Sequence, residues 1–305
     1  MDKRNVTRIT KIHLLGFHIP QSMTFLVFFL FLLLYCVTMC GNLLIITLVS
    51  YSRTLHSPMY FFLSQLSLLD ILLVTDILPN IISTVLMKKT IMSFSGCLTQ
   101  LYFFVITESS ECLLLTVMSW DRYLAICKPL HYALKMNYQV CWILVILCWI
   151  LSVCIALVYN VTISTLQFCG PNIIDHFFCD FYPILQLSCS DTTAAQFEGT
   201  ILGIIFVVIP FFIIIVSYAY IISRRQKVFS TCSSHLTVVC IYYGTLVCVY
   251  LIPRQTRIIT KLLSLLYTVF TPMINPLIYS LRNQELKNAF GKIIHNFLNT
   301  HFSKG

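Results

Sequence analysis

The chain is 305 residues long, 58% hydrophobic and only 10% charged, with a mean hydropathy of +0.86 and a formal net charge of +9. No water-soluble domain of this length carries so little charge, and apolar runs of about 20 residues mark bilayer-crossing helices. The surplus positive charge then reads as juxtamembrane charge facing anionic membrane lipid, and it argues against a nucleic-acid partner.

Residues 1–23 form a polar outer tail with a glycosylation sequon at Asn5-Val6-Thr7. Charge is absent from 12–52, 90–107, 136–174, 199–223, 228–253 and 262–281, and 54–87 carries only Asp70 and Asp76. Seven spans fit, roughly 24–50, 58–80, 97–123, 139–160, 198–223, 233–253 and 262–281. The expected fold is an all-α seven-transmembrane helix bundle over 24–281, because helices satisfy their backbone groups internally. The first apolar run is too long for a cleaved signal peptide and reads as an uncleaved anchor. Loops are short except 161–196, whose cysteines and aromatics (Phe168, His176, Phe177, Phe178, Phe181, Tyr182) favour a folded lid. A second sequon, Asn160-Val161-Thr162, sits too close to the bilayer to be used. Residues 282–305 form an inner tail in which Leu286, Phe290, Ile293, Ile294 and Phe297 share one face of a short interfacial helix.

Lys and Arg divide almost evenly between the two sides, so their placement decides orientation. The lid has none, whereas 222–228 has Arg224, Arg225 and Lys227. Short basic loops belong inside, which puts the N-terminus outside. Of the 14 cysteines, only Cys97, Cys169, Cys179 and Cys189 then lie outside. An even number in an oxidising compartment implies two disulfides, with three pairings open.

Three polar features interrupt the spans. Asp121 and Arg122 are adjacent at the inner end of span three, either as a lipid-facing anchor or as a lock that opens in another state. Asp70 and Glu111 are intramembrane carboxylates, expensive and therefore functional by default. Glu111 lies ten residues before Asp121, about 15 Å up the same helix. Such a pair binds a cation, shares a proton or forms a static neutral cluster. Phe104, Glu108 and Cys112 stand at i, i+4 and i+8 on one face of span three, with Val105 and Ser109 alongside.

Six segments in order carry a resemblance. They are Gly41-Asn42, the run Leu55-His56-Ser57-Pro58-Met59-Tyr60-Phe61-Phe62-Leu63-Ser64, and Asp121-Arg122-Tyr123 with Lys128-Pro129-Leu130-His131-Tyr132. Ser217-Tyr218, Lys227-Val228-Phe229-Ser230-Thr231-Cys232-Ser233-Ser234-His235-Leu236 and Pro272-Met273-Ile274-Asn275-Pro276-Leu277-Ile278-Tyr279-Ser280 complete the set. The chain closely resembles the odorant receptors among the rhodopsin-like G-protein-coupled receptors. His176-Phe177-Phe178-Cys179-Asp180 looks like their tetrapod-type (class II) branch. Ser119-Trp120 replaces the usual Ala-Tyr, and Glu108 and Asp76 are not family features.

The resemblance implies a site set. The pairing would be Cys97–Cys179 and Cys169–Cys189, which leaves the metal-ligand types of His176-x-x-Cys179-Asp180 without a free thiolate. The pocket would take Phe104, Val105, Glu108, Ser109 and Cys112 from span three, Leu202, Phe206 and Val207 from span five, and Tyr243, Val247, Cys248, Tyr250 and Leu251 from span six. Mostly apolar with a few placed polar groups, such a wall fits a small volatile molecule. Span six carries Tyr242-Tyr243-Gly244-Thr245 where most rhodopsin-like receptors have Trp and Pro, so Tyr243 is the expected ligand-sensing residue. Asp121, Arg122, Tyr123, Tyr218, Lys227, Asn275, Pro276 and Tyr279 would serve activation and G-protein coupling. Asp70, Glu111 and Asn275 would form the polar core, with a sodium ion as its candidate occupant. Asp76 is expected close enough to Glu108 to share a proton.

The implied function is an odorant receptor at the plasma membrane that activates a stimulatory olfactory-type G protein and raises cAMP. No nucleophile–base set or phosphate loop suggests an enzyme. A non-olfactory receptor for a small amine or peptide is the alternative. An aminergic site wants an acid one turn above Glu108, where Phe104 stands. A transporter or channel wants a polar stripe on several spans and repeated halves, and neither is visible.

Overall fold

The computed structural model describes residues 9–169, 171–224, 229–252, 256–282 and 284–292. Its helices follow from the absence of any backbone partner in a bilayer other than the chain itself. Span one is Thr24–Tyr51, span two Pro58–Met87, span three Phe94–Cys127 and span four Tyr138–Thr165. Span five runs Thr193–Arg224, span six Phe229–Leu251 and span seven Arg257–Arg282. Six of these are long and apolar enough to cross a membrane, and span six holds the shorter apolar helix His235–Tyr250. The fold is a seven-helix membrane bundle.

Local chemistry sets the ends. Ser93 Oγ accepts the Gly96 N–H at 3.0 Å and opens span three; Asn137 Oδ1 accepts the Val140 N–H at 2.9 Å and opens span four. Pro58 stands at the first turn of span two, where its missing N–H costs nothing. Spans five and seven each contain a π turn, Ile204–Val208 and Leu266–Phe270. Span three is the hub, with its inward residues almost continuously buried. Span one approaches span seven closely: a Cβ at Gly41 would meet Pro276 Cγ at 3.1 Å. Asn42 Nδ2 donates there to the Pro272 carbonyl at 3.1 Å.

Helix boundaries at the outer face differ from the sequence expectation. Span four continues to Thr165 and span five begins at Thr193, so the non-helical lid is shorter than 161–196. Asn160 and Thr162 of the second sequon are helical. Thr162 Oγ1 lies within hydrogen-bonding distance of both Glu198 carboxylate oxygens, 2.8 and 3.0 Å, a second use of that sequon's hydroxyl. Span seven begins before 262 because Lys261 is buried rather than solvated.

The tail is also more ordered than its polarity suggests. Strand β1 (Lys11–Leu14) lies between β2 (Thr90–Ser93) and β3 (Ile173–Ile174), antiparallel to the first and parallel to the second. Ile12 and Leu14 are fully buried under this sheet. At its edge Gly16 has φ +62°, and a Cβ there would lie 2.7 Å from Thr84 Oγ1, so both torsion and space require glycine.

Lys261 ties three segments together. Its Nζ donates to the Gly16 carbonyl of the tail and to the Asp175 carboxylate of the lid. Burial pushes the Asp175 carboxyl up, but Lys261 and then Arg257 outweigh it and hold it below the ordinary carboxylate range. Lys261→Met is expected to destabilise the receptor by about 2 kcal/mol, the scale of losing a charged hydrogen bond. Arg257→Met should be near neutral, because that side chain is 77% exposed and screened. Thermal unfolding of both solubilised variants checks this; equal shifts would show that Lys261 has no special part.

Candidate functional site

The outer site is built on the inward face of span three. Phe104 packs against Phe178 of the lid at 4.9 Å and against Tyr267 of span seven at 6.4 Å. One turn deeper Glu108 is 8% exposed, with both carboxyl oxygens buried and unpartnered among the described residues. Cys112 follows, its Sγ 3.6 Å from the Tyr242 hydroxyl. Val105 is buried and Ser109 half-buried beside them. The shared face expected at 104, 108 and 112 is therefore present.

Span six closes the other side. Tyr242 donates to the Glu108 backbone carbonyl at 3.1 Å, and Tyr243 donates to the Cys112 carbonyl at 2.7 Å. Phe211 of span five stacks on Tyr243 at 5.4 Å. Leu202, Phe206, Val207, Val247, Cys248 and Tyr250 are half-buried. Phe206 and Val207 stand in the π turn of span five, a device that re-aims side chains and recurs at functional sites. The Leu251 side chain lies outside the described set.

The lid caps this cleft. Cys97–Cys179 ties it to the top of span three, and Cys169–Cys189 closes its own loop. Gln100 of span three links the lid to span two, accepting the Cys179 N–H at 3.0 Å and donating to the Asp76 carbonyl at 2.8 Å. Asp180 Oδ1 accepts the Phe181 N–H at 2.7 Å and lies 3.3 Å from the Tyr250 hydroxyl, which is itself 3.0 Å from that of Tyr267. Burial pushes the Asp180 carboxyl up to about 6 despite those donors. His176 is buried between Phe177 and Phe178, and burial, then the Lys261 charge, push it down to about 3, so it stays neutral. Among the described residues no three His, Cys, Asp or Glu side chains converge as a metal site.

Below the cleft is the polar core. Asn275 Nδ2 donates to both Asp70 oxygens at 3.1 Å, while the Glu111 carboxyl oxygens and Asn275 Oδ1 are buried without hydrogen-bond partners among the described residues. The expected partnership of Asp76 with Glu108 is not found. The acids acting on Glu108 include Glu111, a turn away, Asp180 of the lid and Asp70 of span two. The contact of Asp76 with span three is made by its main-chain carbonyl, which accepts from Gln100.

At the inner end Asp121 is 1% exposed and accepts Arg122 Nη2 at 2.7 Å and Nε at 3.1 Å. Its other oxygen accepts the Tyr132 hydroxyl at 2.7 Å from the short helix Pro129–Lys135. Burial, then the Asp121 charge, pushes the Tyr132 phenol up. Tyr123 stacks on Trp120 at 5.2 Å and meets Tyr220 of span five edge-on at 5.6 Å. Tyr218 shares a 2.5 Å hydrogen bond with His235 Nδ1 of span six. Tyr279 is half-buried with its hydroxyl buried, and Pro276 packs on span one. Lys227 and the Asn5 sequon lie outside the described residues.

Sequence reasoning weighed Asp180 only as a metal ligand and assigned no role to Tyr267, Tyr132 or His235. The last two stand inside quoted motifs, Lys128–Tyr132 and Lys227–Leu236, so the signal was present without a partner to give it meaning. Tyr267 carried none, since a tyrosine within an apolar run is ordinary packing.

A family model described as olfactory receptor matches residues 31–297. Human olfactory receptor 10A7 is 44% identical over 301 residues, covering 95% of each chain. Human olfactory receptor 11L1 is 43% identical over 305 residues, covering 96% of this chain and 95% of its own. Rat olfactory receptor 1468 is 41% identical over 305 residues, covering 96% and 97%.

Proposed function

The chain belongs to the olfactory receptor family, and on that premise we propose where the odorant sits and how its binding reaches the G protein. It is a multi-pass membrane receptor and not an enzyme. The odorant binds between spans three, five and six beneath the lid, against Phe104, Glu108, Cys112, Phe206 and Tyr243. The observation that carries this reading is the coupling of span six to span three through hydroxyls at pocket depth, Tyr242 to Glu108 and Tyr243 to Cys112. A ligand that competes for these bonds has different free energies in two positions of span six, which is all that switching requires.

The inner ends respond in the same movement. Outward displacement of span six pulls His235 from Tyr218 and opens the cavity beside Arg122, where the stimulatory olfactory-type G protein docks. The receptor acts at the plasma membrane with its N-terminus outside, and anionic lipid faces its inner basic segments. The polar core fits a small hard cation such as sodium: Asp70, Glu111 and Asn275 offer carboxyl and amide oxygens, several of them unpartnered among the described residues.

The test is a cAMP reporter cell carrying that G protein, challenged with a chemically diverse odorant panel. At least one odorant should raise cAMP, and the rise should vanish when the G protein is omitted. Surface-localised receptor that answers nothing across the panel would remove this reading.

A further inference from the structure

Glu108 carries a chemical preference that the rest of the pocket does not explain. It is 8% exposed, and neither carboxyl oxygen has a partner among the described residues. The hydroxyls around it are committed elsewhere: Tyr242 to the Glu108 main-chain carbonyl, Tyr243 to the Cys112 carbonyl, and Tyr250 to Asp180 and Tyr267. The nearest hydroxyl, that of Tyr242, is thus shared with the main chain, and no donor among the described residues is dedicated to the carboxyl.

It also lacks a counter-charge. The charged groups acting on Glu108 include Glu111, Asp180 and Asp70, all acids. Lys261, the buried cation of the outer half, is held by Asp175 and the Gly16 carbonyl. Arg122 lies 14 residues along the same helix, about 20 Å away. Carboxyls a turn apart repel one another, and a cation placed among them relieves that repulsion. One turn above Glu108, Phe104 packs on Tyr267 and Tyr267 on Tyr250, an aromatic cluster of the kind that attracts cations.

We propose that Glu108 makes this receptor selective for small protonated amines, with the ammonium donating to the Glu108 carboxylate beneath those rings. A neutral alcohol offers one donor and no charge, and a ketone offers only an acceptor. A primary ammonium offers three donors and the missing charge together. The proposal rests on the odorant binding beneath the lid as described above.

The experiment compares straight-chain amines with alcohols of equal length in the cAMP reporter cell. Wild type, Glu108→Gln and Glu108→Asp are matched for surface level. On wild type the amine should be the more potent of each pair. Glu108→Gln should raise the amine EC50 roughly 10- to 100-fold and shift the alcohol EC50 much less, and Glu108→Asp should restore part of the amine response. The wild-type comparison needs no variant, so it decides even if Glu108→Gln does not reach the surface. Wild type that answers alcohols or ketones but no amine overturns the proposal and leaves the odorant site standing. Equal shifts for both ligand classes in Glu108→Gln also overturn it, by making Glu108 a packing residue. Surface-localised wild type that answers no odorant of any class fails both, at the level of the site.

Discussion

Arg122→Ala is expected to abolish the cAMP response to odorant while leaving receptor at the cell surface. The guanidinium makes two hydrogen bonds to Asp121, and its side chain is 22% exposed at the edge of the inner cavity. Its removal does not strip Asp121 of all partners, because Tyr132 still donates to the second oxygen. The cost to folding is therefore moderate, whereas the group that the G protein would receive is gone. Asp121→Asn should act oppositely. With one half of the charge pair neutral, the hold on Arg122 weakens and basal cAMP rises without ligand. Surface staining together with dose–response curves checks both. A wild-type maximal response from Arg122→Ala would end the switch interpretation of this pair.

Cys97→Ser and Cys179→Ser are each expected to cause intracellular retention, and the double variant should be no worse than either. One bond lost twice is lost once, which is the signature of two coupled residues. Both sulfurs are fully buried and join positions 82 residues apart. Loop-closure entropy puts the stabilisation near 4.5 kcal/mol for that separation, an upper figure here because the bilayer already restrains the open chain. Cys169–Cys189 closes only 20 residues, which gives about 3 kcal/mol on the same basis. Its loss should be the milder defect. Quantitative surface labelling measures the first claim. Peptide mapping that finds Cys97 joined to Cys169 or Cys189 would overturn the pairing.

The parts of this molecule that were legible in the sequence are those the bilayer dictates. A span must hide its backbone and show about 20 apolar side chains, so the positions of all seven helices could be read. Span seven was read short at its outer end because Arg257 and Lys261 look like loop charges, yet Lys261 is buried by the carboxylate and carbonyl it meets. The face of Phe104, Glu108 and Cys112 followed from helical spacing alone. Which acid approaches Glu108 did not, because that depends on how span two is rotated about its axis. The π turns at 204–208 and 266–270 were equally hidden, since they arise from packing between helices and leave no local pattern. Strand β1 is four residues long, too short for its alternation to be distinguished from a polar tail.

That strand also fixes an order in time. Its parallel neighbour pairs His13 with Ile173, 160 residues later in synthesis. At ribosomal speeds of roughly 5–20 residues per second, β1 waits about 8 to 32 s for that partner to be made. Span four must cross before it arrives. The middle strand of the outer sheet is therefore its oldest piece, and the sheet cannot close while the chain is young. A quality-control factor that binds exposed strands would have its window on this receptor during that interval. Variants of Ile173 or Ile174 that slow closure would lengthen it without touching a single residue of the odorant cleft.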